Sequence, residues 1–412
     1  MRIIRCLLAV SFVVSAALTA PAVLAQPQAP AFPAVTSLWG GARHGIALKS
    51  DGTVWSWGIN FSGMLGDGTV SSCGPYPFSG CTNERHIPIQ VHGAGNTGSL
   101  SSISAIMGGE QHNFALKSDG TVWAWGFNGF GQLGDGTHSD RYTPVQVSGL
   151  SSATALGGRG YHSLAIRSDG TAWTWGFNTS GQLGNGTIIS SSVPVQVIGL
   201  GSVLTLTGGY NFSLALLSDH TLRAWGANQY GQLGDGAAET RALTPVQVSG
   251  LISVSQVSSG WEHALALRSD GTVWAWGNNV KGELGNGTTV TSSVPIQVAG
   301  LSGMTAVSGG DCHSAALKSD GTVWTWGCND RAQLGDASNT ERHQPVQVTG
   351  LTHVTQIAAR DYHNYALKDD GTVWAWGWNV NGQLGDNTTS DRNIPVQVIF
   401  LNPALFLPFV LR

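Results

Sequence analysis

His44–Gly58 reads HGIALKSDGTVWSWG, and the phrase returns as HNFALKSDGTVWAWG from His112 and HSLAIRSDGTAWTWG from His162. Further copies begin at Phe212, His263, His313 and His363. The aspartate before the turn glycine falls at Asp51, Asp119, Asp169, Asp219, Asp270, Asp320 and Asp370, with spacings of 68, 50, 50, 51, 50 and 50 residues. A fixed period of this length marks a repeat architecture. The long first spacing locates an insertion of about 18 residues between Thr69 and Leu100. Each copy continues through W-G-x-N, a Q-L-G-D-G-T-like loop and P-V-Q-V.

Each repeat reads as four short strands. In the sixth, the expected strands are Met304–Val307, His313–Lys318, Thr322–Trp326 and Val346–Val348. Gly309-Gly310 and Ser319-Asp320-Gly321 supply the turns, where glycine tolerates positive φ. Pro345 suits the start of an edge strand, which misses no ladder donor there. The second strand is apolar on both faces, so its sheet must be covered on both sides. Seven such sheets stacked in a closed ring satisfy that need, and the expected fold is an all-β, seven-bladed β-propeller. An open solenoid would need two unlike capping repeats, and the terminal copies here are as regular as the middle ones.

Composition agrees. The 412 residues include 57 glycines and 16 tryptophans, and only 11% are Asp, Glu, Lys or Arg. Solvated helices need more charge than this, and 42% hydrophobic residues is too many for a disordered chain. The net charge of −4 becomes −6 without Arg2 and Arg5, and no basic run is present, so nucleic acid is not an expected partner. Residues 1–25 read as a secretory signal: Arg2 and Arg5, an apolar stretch from Cys6 to Leu18, then the small-residue site Val23-Leu24-Ala25. Residues 26–33 are a proline-rich lead-in, 34–401 the propeller with its insertion at 69–100, and 402–412 an apolar tail. The tail, with Pro403 and Pro408, is expected to latch onto the first blade; a sorting signal is the alternative. The expected localisation is secreted or extracytoplasmic.

The string G-x-x-H-S-x-A-L-x-x-D-G-x-V-W-x-W-G-x-N-x-x-G-Q-L-G resembles the repeat of the regulator of chromosome condensation family, over roughly residues 35 to 401. The resemblance implies a seven-bladed propeller. It does not imply the founding member's nucleotide exchange on a nuclear GTPase, which needs a wedge in a middle blade and basic contacts that this acidic chain lacks. Secreted bacterial propellers of the family, one of which binds a protein target with one face, are the nearer parallel.

Several repeating residues invite chemistry and have simpler readings. Six histidines (His44, His112, His162, His263, His313, His363) lie on six different blades, too far apart for a shared metal. The expectation is a buried imidazole tying the Gly-Gly turn to a neighbouring backbone group. The tryptophans spaced by two, such as Trp55 and Trp57, share one strand face and are expected to be inter-blade core, although an exposed aromatic ladder would bind sugar. The asparagine after each W-G is expected to hold a turn. No phosphate loop, calcium loop or nucleophile motif is found, and no cofactor, metal or catalytic residue is assigned. Disulfides are expected between Cys73 and Cys81 and between Cys312 and Cys328.

The residues just before the histidine position differ from repeat to repeat. They include Arg43, Glu110, Arg159, Tyr161, Tyr210, Trp261, Glu262, Asp311, Arg360, Asp361 and Tyr362. Equivalence between blades places them at one end of the ring, and aromatics with arginine are the composition of a protein-binding surface. The expected function is a monomeric, non-catalytic module that presents this face to an extracellular protein. A carbohydrate or cell-wall binder is the alternative, and an extracellular hydrolase or lyase a more remote one.

Overall fold

The computed structural model describes residues 33–72, 81–237 and 239–401. The signal sequence, nearly all of the lead-in, Cys73 and the 402–412 tail lie outside the described residues.

Seven four-stranded antiparallel sheets follow one another along the chain at 35–90, 103–146, 153–196, 203–247, 254–297, 304–347 and 354–397. In every sheet the strands occur in chain order, so each blade is one contiguous repeat. First strands of successive blades pack on one another, and that of blade 7 packs on that of blade 1, which closes the circuit. This is the seven-bladed propeller that the repeat period implies. In blade 6, His313 pairs with Gly327 and Leu317 with Val323 around the three-residue turn at Ser319-Asp320-Gly321.

The fourth strand of blade 6 runs Arg342–Gln347, earlier than the expected Val346–Val348. Its register slips between Thr325 and Gly327, so Pro345 lies inside a bulge on an edge strand and leaves no ladder partner unmet. The expected insertion divides in two. One part, within 70–84, precedes the fourth strand of blade 1, and the other, His92–Ser99, follows it.

The two tryptophans of each pair differ in depth, although both pack on the inter-blade core as the spacing implies. The second member, such as Trp57, Trp125 or Trp276, is fully buried between blades. Its Nε1 donates to a carbonyl of the preceding blade, as Trp125 does to Met64 at 2.9 Å and Trp276 to Gln232 at 3.0 Å. The first member is shallower, and Trp173, Trp274, Trp324 and Trp374 are partly buried against the same clusters. Trp123 donates to Thr121 Oγ1 at 3.2 Å, and Lys117 Nζ rides 4.4 Å above its ring.

The six histidines are fully buried, and five of them meet a side chain of the next blade rather than a backbone group. His162 Nε2 meets Ser213 Oγ at 2.8 Å, and Ser213 Oγ donates onward to the Gln182 carbonyl at 2.9 Å. The serine's one proton is used there, so the imidazole donates through Nε2–H. His44 with Asn113 and His313 with Asn364 repeat the scheme with an amide. The ring lies on the glycine three residues before it: a Cβ on Gly260 would fall 2.0 Å from His263 Cε1.

Two seams depart from the scheme together with their partners. Phe212 replaces histidine in blade 4, and the facing position in blade 5 is Ala264. At the closing seam Gly45 stands where other blades carry Ser, Asn or Ala, and His363 Nε2 has no partner among the described residues. The Tyr365 hydroxyl fills the gap by donating to the Gln383 carbonyl, which Trp57 Nε1 also reaches at 2.8 Å. Phe400 then packs on Trp57 with ring centroids 5.8 Å apart. Strands Val35–Gly40 and Arg392–Gln397 thus belong to adjacent blades, as ring closure requires.

Candidate functional site

The turns between first and second strands open on one end of the ring, around its axis. Five blades place a glycine three residues before the histidine position, and blades 3 and 7 place Arg159 and Arg360 there. In those two blades the first strand is one residue longer, Ala153–Arg159 and Val354–Arg360, and ends on the arginine. Arg159 crosses the axis: Nη1 donates to the carbonyls of Gly309 at 2.6 Å and Ser259 at 3.2 Å, and Nη2 pairs with Asp311 at 2.6 Å. It thereby links blade 3 to blades 5 and 6. The Arg360 guanidinium lies 4.0 Å over the indole of Trp39, on blade 1.

Glu110, Asp311 and Asp361 share this axial mouth with the two arginines. Burial pushes the Glu110 carboxyl up to about 8, and Asp311 repels its charge further, while Arg159, Arg43 and Arg360 act in the opposite sense. Burial raises Asp311 and Asp361 too. The Asp311 N–H donates to the Asp361 carbonyl at 3.1 Å, and the closeness of the two carboxyls raises Asp361 further by charge repulsion. Burial depresses Arg360.

An arc of aromatic rings runs around the same end. Phe127 and Phe130 approach Tyr161 at 5.9 and 5.4 Å, Tyr161 meets Tyr210 at 6.1 Å, and Tyr210 stacks on Trp261 at 4.1 Å with 12° between planes. On the opposite side Tyr362 meets Trp378 edge-on at 5.9 Å, and Arg43 covers Trp378 at 4.4 Å. Between arc and axis lies a recess of about 390 Å³ lined by Trp261, Glu262, Asp311, Asp361, Tyr362 and Trp378 among others.

All eleven residues singled out from the sequence belong to the turns at this end, but they do not form one surface. Glu110, Arg159, Arg360 and Asp361 are only 8, 3, 5 and 7% exposed, so they fill the mouth instead of presenting it. Arg43, Tyr161, Tyr210, Trp261, Glu262, Asp311 and Tyr362 are half-buried. Phe127, Phe177, Asn278 and Trp378 join them and had been overlooked. All four follow the glycine of W-G, a column that reads Ile59, Phe127, Phe177, Ala227, Asn278, Cys328 and Trp378 and varies as freely as the turns before the histidines. In blade 6 the two variable columns are joined by the disulfide Cys312–Cys328, with Cα atoms 5.5 Å apart. Cys81 is disulfide-bonded as well, while Cys73, its expected partner, lies outside the described residues. Among the described residues no group of three or more His, Cys, Asp or Glu is placed to hold a metal ion.

Comparison with known proteins gives the chain a family setting. A model described as the RCC1-like domain matches residues 188–407. Models of the regulator of chromosome condensation (RCC1) repeat match 51–116 and 119–166, and 35–63, 101–132 and 158–182. The chain is 36% identical over 107 residues to the ultraviolet-B receptor UVR8 of Arabidopsis thaliana, covering 26% of this chain and 21% of the receptor. It is 31% identical over 121 residues to the mouse secretion-regulating guanine nucleotide exchange factor, covering 27% and 24%. The matched stretches thus span about a quarter or less of these relatives. Among solved structures, human WBSCR16 aligns with a TM-score of 0.73 at 25% identity over 85% of this chain and 94% of that one. Prp20p of Saccharomyces cerevisiae aligns at 0.71 and 21% identity over 90% and 88%, a likeness of fold.

Proposed function

The chain belongs to the regulator of chromosome condensation (RCC1) repeat family, and from that premise we propose that it is a secreted, non-catalytic interaction module whose axial turn face binds an extracellular protein. The relatives' names describe unlike activities, so the shared repeat speaks for the scaffold, and the surface carried on it sets the partner. The observation that carries the reading is the half-buried aromatic arc from Phe127 to Trp261, set on rigid turns around a charged centre. Aromatic anchors of few rotamers lose little entropy on binding and dominate interface energies. The reading Met1–Ala25 as a leader supports export.

The test is capture of proteins from native culture supernatant by the purified chain, compared with its Trp261→Ala and Tyr362→Ala variants. Each substitution should weaken binding by roughly 1–4 kcal/mol with little change in unfolding midpoint. An equal loss of stability would make these rings core. Capture by isolated cell-wall glycan in place of protein would move the reading to a carbohydrate binder.

A further inference from the structure

The recess at the axial mouth has a chemistry of its own. Its walls are the rings of Trp261, Tyr362 and Trp378, and its lining includes the carboxyl groups of Glu110, Glu262 and Asp361. The cations nearby are already engaged. Arg159 is held by Asp311 and two carbonyls, Arg360 lies on Trp39, Arg43 lies on Trp378, and Lys281 turns outward to Glu341 at 3.3 Å. Glu110 stands apart from the buried acids Asp67 and Glu283, whose carboxyls are hydrogen-bonded or ion-paired. It is 8% exposed and opens onto the recess, yet its carboxyl makes no hydrogen bond or ion pair among the described residues. A buried carboxyl left without a partner is costly, and the group that would relieve it is a donor-rich cation entering from the recess.

Resting on the protein-binding reading above, we propose that this recess is the anchor pocket for an arginine side chain of the protein partner, held flat among the aromatic walls with its N–H groups on Glu110. A guanidinium matches both features at once. Its planar face suits indole and phenol rings, and its fork of donors suits a carboxylate. A sugar would leave the surplus of carboxyl groups unanswered. Acceptance of the cation requires Glu110 to give up its proton. The charged and titratable groups facing it are Arg43, Arg159, Arg360, Asp311, Asp361, Tyr161 and Tyr210. With Glu110 titrating at about 8, affinity should rise about tenfold from about pH 7 to about pH 9, a range in which arginine stays charged.

The experiment titrates the purified chain with Nα-acetyl-arginine methylamide and its neutral citrulline analogue, read by tryptophan fluorescence and calorimetry. Saturable millimolar binding of the arginine probe, weaker by tenfold or more for the citrulline probe and for Glu110→Gln, and rising with pH, is the expected result. Glu262→Gln, a half-buried position at the recess, gives a second variant and should weaken binding severalfold. Equal binding of the two probes, no saturation, or no effect of either substitution overturns the pocket. If Trp261→Ala abolishes protein capture while the arginine probe neither binds nor competes, the anchor fails and the binding face stands. If Trp261→Ala leaves capture intact, the face itself is wrong.

Discussion

The exchange of His for Phe at residue 212, facing Ala264, offers a test of what joins the blades. At the next seam His263 Nε2 donates to Ser314 Oγ at 2.9 Å, and Ser314 donates to the Glu283 carbonyl at 2.9 Å, all in a site closed to solvent. Ser314→Ala alone leaves the Nε2–H buried without an acceptor, at a cost of roughly 1–3 kcal/mol. His263→Phe alone removes one hydrogen bond, worth about 0.5–1.5 kcal/mol, and offsets part of that with an apolar ring. The ring fits, because Phe212 lies on Gly209 as closely as His263 lies on Gly260. The double variant recreates the Phe212–Ala264 seam, in which neither unmet group exists. Its cost should fall below the sum of the single costs by at least about 1 kcal/mol, since residues in contact couple by 0.5–3 kcal/mol. Equilibrium urea unfolding of the four proteins near neutral pH measures the coupling. Single costs that add to within about 0.5 kcal/mol would show that packing, not the His–Ser relay, sets the pairing.

The same histidines predict acid sensitivity: burial lowers His44 and His313 to about 4 and His112, His162 and His263 to about 3. A depressed folded value means that stability is whole above about 6.5 and declines as pH falls towards these values, so a melting temperature that stays flat from neutral pH to about pH 4 would count against the burial argument. Glu110 has the opposite sign. Its contribution is present below about 4.5 and lost as pH rises through about 8, so Glu110→Gln should gain in melting temperature relative to the parent as pH is raised, and a constant gap would refute it. Gly45→Ser should destabilise by about 2 kcal/mol or more although serine is native at 163, 213 and 314, because its Cβ would lie 2.2 Å from Trp57; a neutral outcome in thermal unfolding would mean that the seam yields. Removing the disulfide by Cys312→Ser with Cys328→Ser should cost up to about 3 kcal/mol, the loop-closure value for a loop of this size, and chemical denaturation that shows no loss would mean the hairpin alone holds that turn.

The architecture was legible because a propeller writes each scaffold position seven times. The asparagines after W-G illustrate this. Asn128 accepts from the Leu133 N–H at 2.9 Å and donates to Asp135 and the Thr137 carbonyl, the kind of local hold that its recurrence implies. What recurrence could not show was contact across a seam. Ser213 and Asn113 sit one residue after the histidine position as unlike residue types, and only their juxtaposition with the preceding blade's imidazole makes them equivalent. Arg159 and Arg360 were visible as departures from glycine, yet their burial was not, because each side chain finds its contacts on other blades: blades 5 and 6 for Arg159, blade 1 for Arg360.

The ring closes without sharing a strand. A propeller whose last sheet borrowed its outer strand from the start of the chain would have its ends sewn together by main-chain hydrogen bonds. Here the ends are held by the Tyr365 ring against Trp57, by Trp57 on the Gln383 carbonyl, by the Gln356 amide meeting both the Leu38 N–H and carbonyl, and by Phe400. Those contacts act as an address. Every other blade carries a side chain where Gly45 has none, so the surface that blade 7 meets on blade 1 differs from that of every internal blade. The address is blind to which molecule supplies it. A blade 7 that opens at high protein concentration finds the same address on another copy's blade 1, and the intramolecular ring wins only through the nearness of its own ends.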